Sequence, residues 1–356
     1  MSTSKSRSGN FFEDFRIGMR LAHPTPRTLT DGDRSLYIGL TGARDVLPSS
    51  QMACEHIGLS RQPLDPVMVF NVAFGKTVPD ISLNAIANLG YADLRFLAPV
   101  HSGDTIRVES EIIGLRETSN GKSGVVYTRS TATNQFNVPV LTWIRWVMVH
   151  KRDFLAAAPN ARVPEMPASV APQALIIQEY GINAASIATF TGSNDFWEDY
   201  EAGERIDHPS GMTINDSDHS IATRLYQNTA KVHFDAHVMQ STPGGKRLVY
   251  GGHIISICRA LSYDGLENAL SMLAINGGSH VAPSYAGDTI YCATTVIERI
   301  DLGHPHIGAL RLRTVGAKDI GDASQISFPA NSSAKIAHGA GTVLDIDFTV
   351  AIPKKP

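Results

Sequence analysis

The chain states one pattern twice. NFFEDFRIGMRLAHP at 10–24 returns as NDFWEDYEAGERIDHP at 194–209. Glu13-Asp14-Phe15, Gly18 and His23-Pro24 meet Glu198-Asp199-Tyr200, Gly203 and His208-Pro209 at an offset of 185. LAPVHSGDTI (97–106) returns as VAPSYAGDTI (281–290), Asn84-Ala85 as Asn268-Ala269, and Gly124 and Arg129 as Gly308 and Arg313, now at an offset of 184. One such pair is chance, but an ordered series at nearly constant spacing is a duplication, so whatever one half folds into must form twice. A length of 356 residues suits two domains. The organisation read from this is a first copy over 1–150, a linker over 151–189 and a second copy over 190–356. The linker contains AAAPNARVPEMPASVAPQ, extended where proline fixes φ. Its later part, ALIIQEYGINAASIATF, is expected to pack back onto one copy. The Gly/Ser/Asn-rich stretch 318–340 reads as a long hairpin loop.

Each copy runs from an early turn through Thr-rich extended segments to a helical stretch and then strands. In the second copy the helical spacing predicts one long helix within HIISICRALSYDGLENALSMLA, 253–274. TIRVESEIIGL, GVVYTRSTATNQ and VLTWIRWVMVHK, and then TIYCATTVIERI, GALRLRTVGA and VLDIDFTVAI, are rich in β-branched and aromatic residues and read as strands. A central helix followed by an antiparallel sheet is an α+β unit, here in tandem.

Composition narrows the function. Apolar content of 43% sustains a core, and a formal charge of −3 points to neither nucleic acid nor an anionic membrane. No apolar run approaches the ~18 residues of a membrane span, and MSTSKSRSGN has no signal-peptide core, so a cytoplasmic location is expected. Cys54, Cys258 and Cys292 have no metal or redox spacing and are expected to be free thiols.

A helix-then-sheet unit whose sheet opens A-P-x-x-x-G-D-T-I resembles the hotdog fold of the MaoC-like dehydratases, the (R)-specific enoyl-CoA hydratase group. Two fused copies resemble its double-hotdog members. NFFEDF, FGKTVPDISLNAIANLGYA, GVVY, RLYQNTAKVHF, YGGHIIS and GDTIY together are similar to the mesaconyl-CoA (2-methylfumaryl-CoA) hydratases, over nearly the whole chain. The resemblance implies reversible addition of water to a trans double bond conjugated to a CoA thioester, yielding β-methylmalyl-CoA from mesaconyl-CoA. It implies no metal and no cofactor, with CoA part of the substrate, and a homo-oligomer, since hotdog sheets pair.

Such chemistry needs a group to activate water, a proton for the α-carbon and donors for the enolate oxygen. The resemblance places the first two on an Asp-x-x-x-x-His segment, which here reads Asn228 to His233. Imidazole exchanges protons near neutral pH, although a loop histidine bonded to backbone is the commoner occurrence. An amide takes no proton from water, so Asn228 either positions water or substrate or closes its own turn. Asp235 suits a helix cap, and Asp216 and Asp218 are the other carboxylates near in sequence. Gly251 and Gly252 precede the helical stretch, as a tight turn or as oxyanion donors at a helix start, the resemblance favouring Gly252. In the first copy LTGARDVLPSS puts Ala43 and Pro48 where Asn228 and His233 stand, which implies one active site per chain, with the first copy shaping the acyl pocket. Arg44 and Arg224 are candidates for the distal carboxylate of a mesaconyl group. A hotdog acyl-CoA thioesterase and a non-catalytic acyl-CoA binding protein are the competing functions.

Overall fold

The computed structural model describes residues 5, 8–178, 180–181, 184–242, 244–329 and 338–356. The first copy contains β1 (Arg20–Thr28), α1 (Asp31–Thr41), α2 (Val46–Ser49), α3 (Gln51–His56), α4 (Pro66–Thr77), β2 (Ala85–Phe96), β3 (Thr105–Glu117), β4 (Ser123–Thr133) and β5 (Pro139–His150). After α5 (Ala188–Thr191) the second copy follows the same order. Its elements are β6 (Arg205–Asp207), β7 (Met212–Thr213), α6 (Asp216–Leu225), α7 (Lys231–Phe234), α8 (Ala236–Met239), α9 (Gly251–Leu261), β8 (Ser271–His280), β9 (Thr289–Ile300), β10 (Ile307–Lys318) and β11 (Thr342–Pro353).

Among the described residues, eleven strands join one antiparallel sheet, with β2 against β8 at its centre. That junction pairs Tyr91 with Gly278 and Leu94 with Ile275, which at an offset of 184 is its own mirror. Inside the sheet lie α4 and α9, both mainly apolar and buried almost throughout, with their few polar side chains buried too. They touch where the counterparts Asn71 and Ser256 meet, Asn71 Nδ2 donating to Ser256 Oγ at 3.0 Å. The repeated His-Pro is structural. His23 Nε2 bonds Ser110 Oγ at 2.8 Å and His208 Nε2 bonds Thr294 Oγ1 at 2.7 Å, each tying the first strand of its copy to the sheet. Asn84 and Asn268 likewise each donate to two carbonyls of the opening turn of their copy.

The six strands read from sequence form as expected, whereas the long helix does not. Helix α9 ends at Leu261, and Ser271 onward is β8. Gly265, at φ +98°, turns the chain there, and a fully buried strand carries the same short apolar spacing as a buried helix. The later linker packs back: Leu175, Tyr180, Ala184 and Ile187 are buried with Leu47 and Ile57 of the first copy and Leu273 and Ile307 of the second. The connection 134–138 between β4 and β5 is replaced by 319–341 between β10 and β11, which locates the expected excursion; its part 330–337 lies outside the described residues.

Candidate active site

A cavity of about 320 Å³ opens between the copies. Phe74 of α4, Tyr91 of β2 and Arg145 of β5 line it from the first copy. Asn228, His233, Gly251 and His280 line it from the second. The sequence-predicted His-Asn segment and the start of α9 therefore meet at one place.

His233 Nδ1 stands 2.8 Å from the carbonyl oxygen of Leu248. A carbonyl only accepts, so Nδ1 carries the proton and Nε2 keeps its lone pair. The ring packs edge-on to Tyr250, and its uncovered part faces the cavity. Burial penalises the imidazolium and lowers the pKa to about 4, against the raising effect of the Leu248 carbonyl. At neutral pH His233 is a neutral base.

Asn228 is buried, and its Oδ1 accepts from the Ala230 N–H at 3.1 Å. Its oxygen closes the turn, which leaves the NH₂ as its remaining donor beside the cavity. The segment enters through Gln227 in the left-handed region, φ +53°, where the first copy has Gly42 at φ +67°. Asp235 caps α8 by accepting from the Val238 N–H. Asp216 is paired with Arg247, and Asp218 closes the start of α6 with Asn215. Among the described residues no aspartate or glutamate lines the cavity.

Helix α9 begins after Tyr250, whose side chain gives no cap, so the first N–H groups, those of Gly251 and Gly252, are not taken by one. Gly251 lines the cavity; a β-carbon there would stand 2.4 Å from His280 Nε2, so glycine lets the helix start approach that ring. Gly252 lies one residue deeper, its carbonyl accepting from Asn71 Nδ2.

The first copy holds the mirror image of this cavity, about 140 Å³, with its polar groups replaced. At the duplication offsets Pro48 replaces His233, Phe96 replaces His280, Pro66 replaces Gly251, Val100 replaces Ser284 and Met272 replaces Asn88. Its helix start is also closed: Pro66 has no N–H, and Asp65 Oδ1 accepts from Val67 and Met68 at 2.7 and 3.1 Å.

Two candidates need correction. Arg44 is half-exposed, held by Asp264 at 2.8 Å over the Tyr263 ring. Arg224 donates back to the Ser220 carbonyl on the outer side of α6. Neither lines the cavity. Arg145 and His280, which do, belong to no motif in the sequence. Both sit inside strands whose apolar neighbours read as core, and the one available signal was a charge within VLTWIRWVMVH.

Two helices wrapped in one sheet, with this histidine segment beside an open helix start, define the class: a MaoC-like dehydratase of the double-hotdog type. The mesaconyl-CoA hydratase family model matches residues 2–322. The beta-methylmalyl-CoA dehydratase of Chloroflexus aurantiacus is 50% identical over 99% of both chains, and the mesaconyl-CoA hydratase of Cereibacter sphaeroides is 47% identical over 98% of this chain and 100% of its own. A solved MaoC domain protein from Chloroflexus aurantiacus superimposes with a TM-score of 0.94 at 50% identity, covering 99% of this chain and 100% of the other. The chain belongs to the mesaconyl-CoA hydratase family, and it is a hydro-lyase.

Proposed function

We propose that the protein reversibly hydrates mesaconyl-CoA to β-methylmalyl-CoA, with CoA entering only as part of the substrate. The observation that carries the mechanism is the His233 Nδ1 bond to Leu248, which leaves Nε2 as an unprotonated base on the cavity wall. In this reading Nε2 takes a proton from water as the water oxygen bonds to Cβ. The π electrons move toward the thioester, and the developing enolate oxygen is held by N–H groups at the uncapped start of α9. The imidazolium then returns a proton to Cα, restoring the neutral base. Asn228, its oxygen already engaged, donates through its NH₂ to the water or to the substrate. One base serving both proton steps stands on one face of the double bond, so the addition is syn.

Incubation with mesaconyl-CoA tests this. Loss of the conjugated-enoyl absorbance with the thioester retained, giving the syn diastereomer of β-methylmalyl-CoA, is the expected result. Release of free thiol would make the protein a thioesterase, and an unchanged spectrum with tight binding would make it an acyl-CoA binder. The anti diastereomer would require a second proton-transfer group opposite His233.

A further inference from the structure

The cavity carries a buried positive charge, and among the described residues no carboxylate lines it. Arg145 lies in β5 with no exposed surface, yet it makes no ion pair among the described residues. Its guanidinium is stacked over the Phe74 ring at 4.2 Å, and it donates to Thr77 Oγ1 at 2.8 Å and more distantly to Ser82 Oγ. A π-helical turn at Val78–Ser82, directly after α4, delivers that serine. The Arg145 Nε is buried and has no partner. Three other groups on the same walls share that condition, namely both amide atoms of Asn88, the Tyr250 hydroxyl and Ser284 Oγ. Buried polar atoms are almost always paired, so a set of unpaired ones around one cavity is hydrogen-bonding capacity reserved for a ligand.

The duplication supplies an internal control. Arg145 faces Tyr91 across the β2–β5 pair; in the second copy the position facing Ile275, the counterpart of Tyr91, is Phe348. The Phe74 position becomes Arg259, a buried arginine on α9. That arginine is paired with Asp45, whereas Ala230 stands at the Asp45 position beside the catalytic segment. Asp45 of the first copy neutralises Arg259 of α9. Arg145 has no such partner among the described residues and is left for something that enters.

We propose that Arg145, assisted by Asn88, binds the distal carboxylate of the acyl group and so sets the preference for dicarboxylic enoyl thioesters over neutral ones. The proposal rests on the hydratase reading above and deepens it. A guanidinium held by hydroxyls and a ring face is oriented before substrate arrives, and its fixed fork matches a carboxylate. Burial lowers its pKa to about 10, still far above neutrality, so it enters as a desolvated cation that only an anion satisfies. Arg145 is a specificity residue in this scheme, remote from the proton transfers of His233.

The test compares mesaconyl-CoA with 2-methyl-2-butenoyl-CoA, in which a methyl replaces the distal carboxylate, on wild type and on Arg145→Met. Wild type is expected to favour the carboxylated thioester by at least ~10²-fold in kcat/KM, the scale of losing one partner of a buried charge pair. Arg145→Met is expected to lose that preference while keeping its rate on the methyl compound, which also reports that the cavity is intact. Should Arg145→Met not fold, Arg145→Lys replaces it, with a KM rise of roughly 10-fold confined to the carboxylated substrate as expected from losing the fork geometry. A variant that keeps the full preference, or a wild type that hydrates both thioesters equally, overturns the assignment of Arg145. A wild type that hydrates neither defeats the underlying hydratase reading instead.

Discussion

At the scale of single residues, the role proposed for His233 rests on one committed nitrogen. The Leu248 carbonyl holds the proton on Nδ1, and burial keeps the ring neutral, so Nε2 is available at neutral pH. His233→Ala is expected to reduce kcat by at least ~10²-fold with the fold retained, the usual range for losing a general base. A wild-type kcat/KM profile should be flat between pH 6 and 8, because the controlling ionisation lies near pH 4. An inflection at 6.5 would mean that the cavity does not depress this histidine and would remove the argument for a committed tautomer. How far these residues were legible differs with their chemistry. Asn228 stands in the polar turn after α6 and His233 on the short α7 that follows it, where a titratable group is conspicuous. Arg145 and His280 stand on strands at positions that alternate as core, and only the fold shows that the core there is hollow.

Among elements, the two central helices show how duplicated secondary structure came to differ in use. Helix α4 begins with Asp65-Pro66, a side-chain cap and a residue without an N–H, and so satisfies its own start. Helix α9 begins with Tyr250-Gly251-Gly252 and leaves its start open to the cavity. The sequence made the α9 start recognisable through its glycines. It misled at the other end, where the spacing within 262–274 reads as further helix although Gly265 turns the chain into β8. Contact between the copies is close enough to be tested by one methyl group. Gly75 on α4 faces the backbone leading into Asn228, and a β-carbon there would lie 1.8 Å from the Tyr226 carbonyl oxygen. Gly75→Ala should push that backbone away from α4, lowering both Tm and kcat. Gly39→Ala on α1, where nothing lies within 4 Å, should leave activity unchanged and stability unchanged or raised by up to ~1 kcal/mol. Thermal melts and turnover of the two variants decide this, and equal behaviour would show that the α4–Tyr226 contact does not position the site.

For the whole molecule, duplication with divergence predicts two global properties. The first concerns acid. His219, His233, His253 and His280 all belong to the second copy, and burial lowers each to about 4 from an unfolded value of 6.5. A depressed histidine contributes stability that is fully present above the unfolded pKa and is lost as pH falls through the folded one. Unfolding near pH 5 should therefore take up about four protons per chain from these residues alone. Denaturant melts between pH 7 and 4.5 should show stability falling steeply below 6.5, and a pH-independent midpoint over that range would contradict the burial of these rings as neutral bases.

The second global property is stoichiometry, and it follows from the mirror cavity rather than from any one residue. Reading Ala43 and Pro48 against Asn228 and His233 already argued for a single catalytic segment in the sequence. The structure adds that the mirror cavity is smaller, lined largely by apolar side chains, and closed at its helix start by Asp65. Restoring one residue cannot restore a site in which the counterparts of the proposed oxyanion donors are covalently absent at Pro66 and already bonded at Val67 and Met68. Equilibrium titration with a non-hydratable saturated acyl-CoA should accordingly saturate at one equivalent per chain. Asn228→Ala should weaken turnover, whereas Ala43→Ser should not. Pro48→His should neither add a second equivalent nor raise kcat. Two equivalents per wild-type chain, or matched losses in Asn228→Ala and Ala43→Ser, would mean that both halves still bind substrate and that the divergence traced here has not reached function.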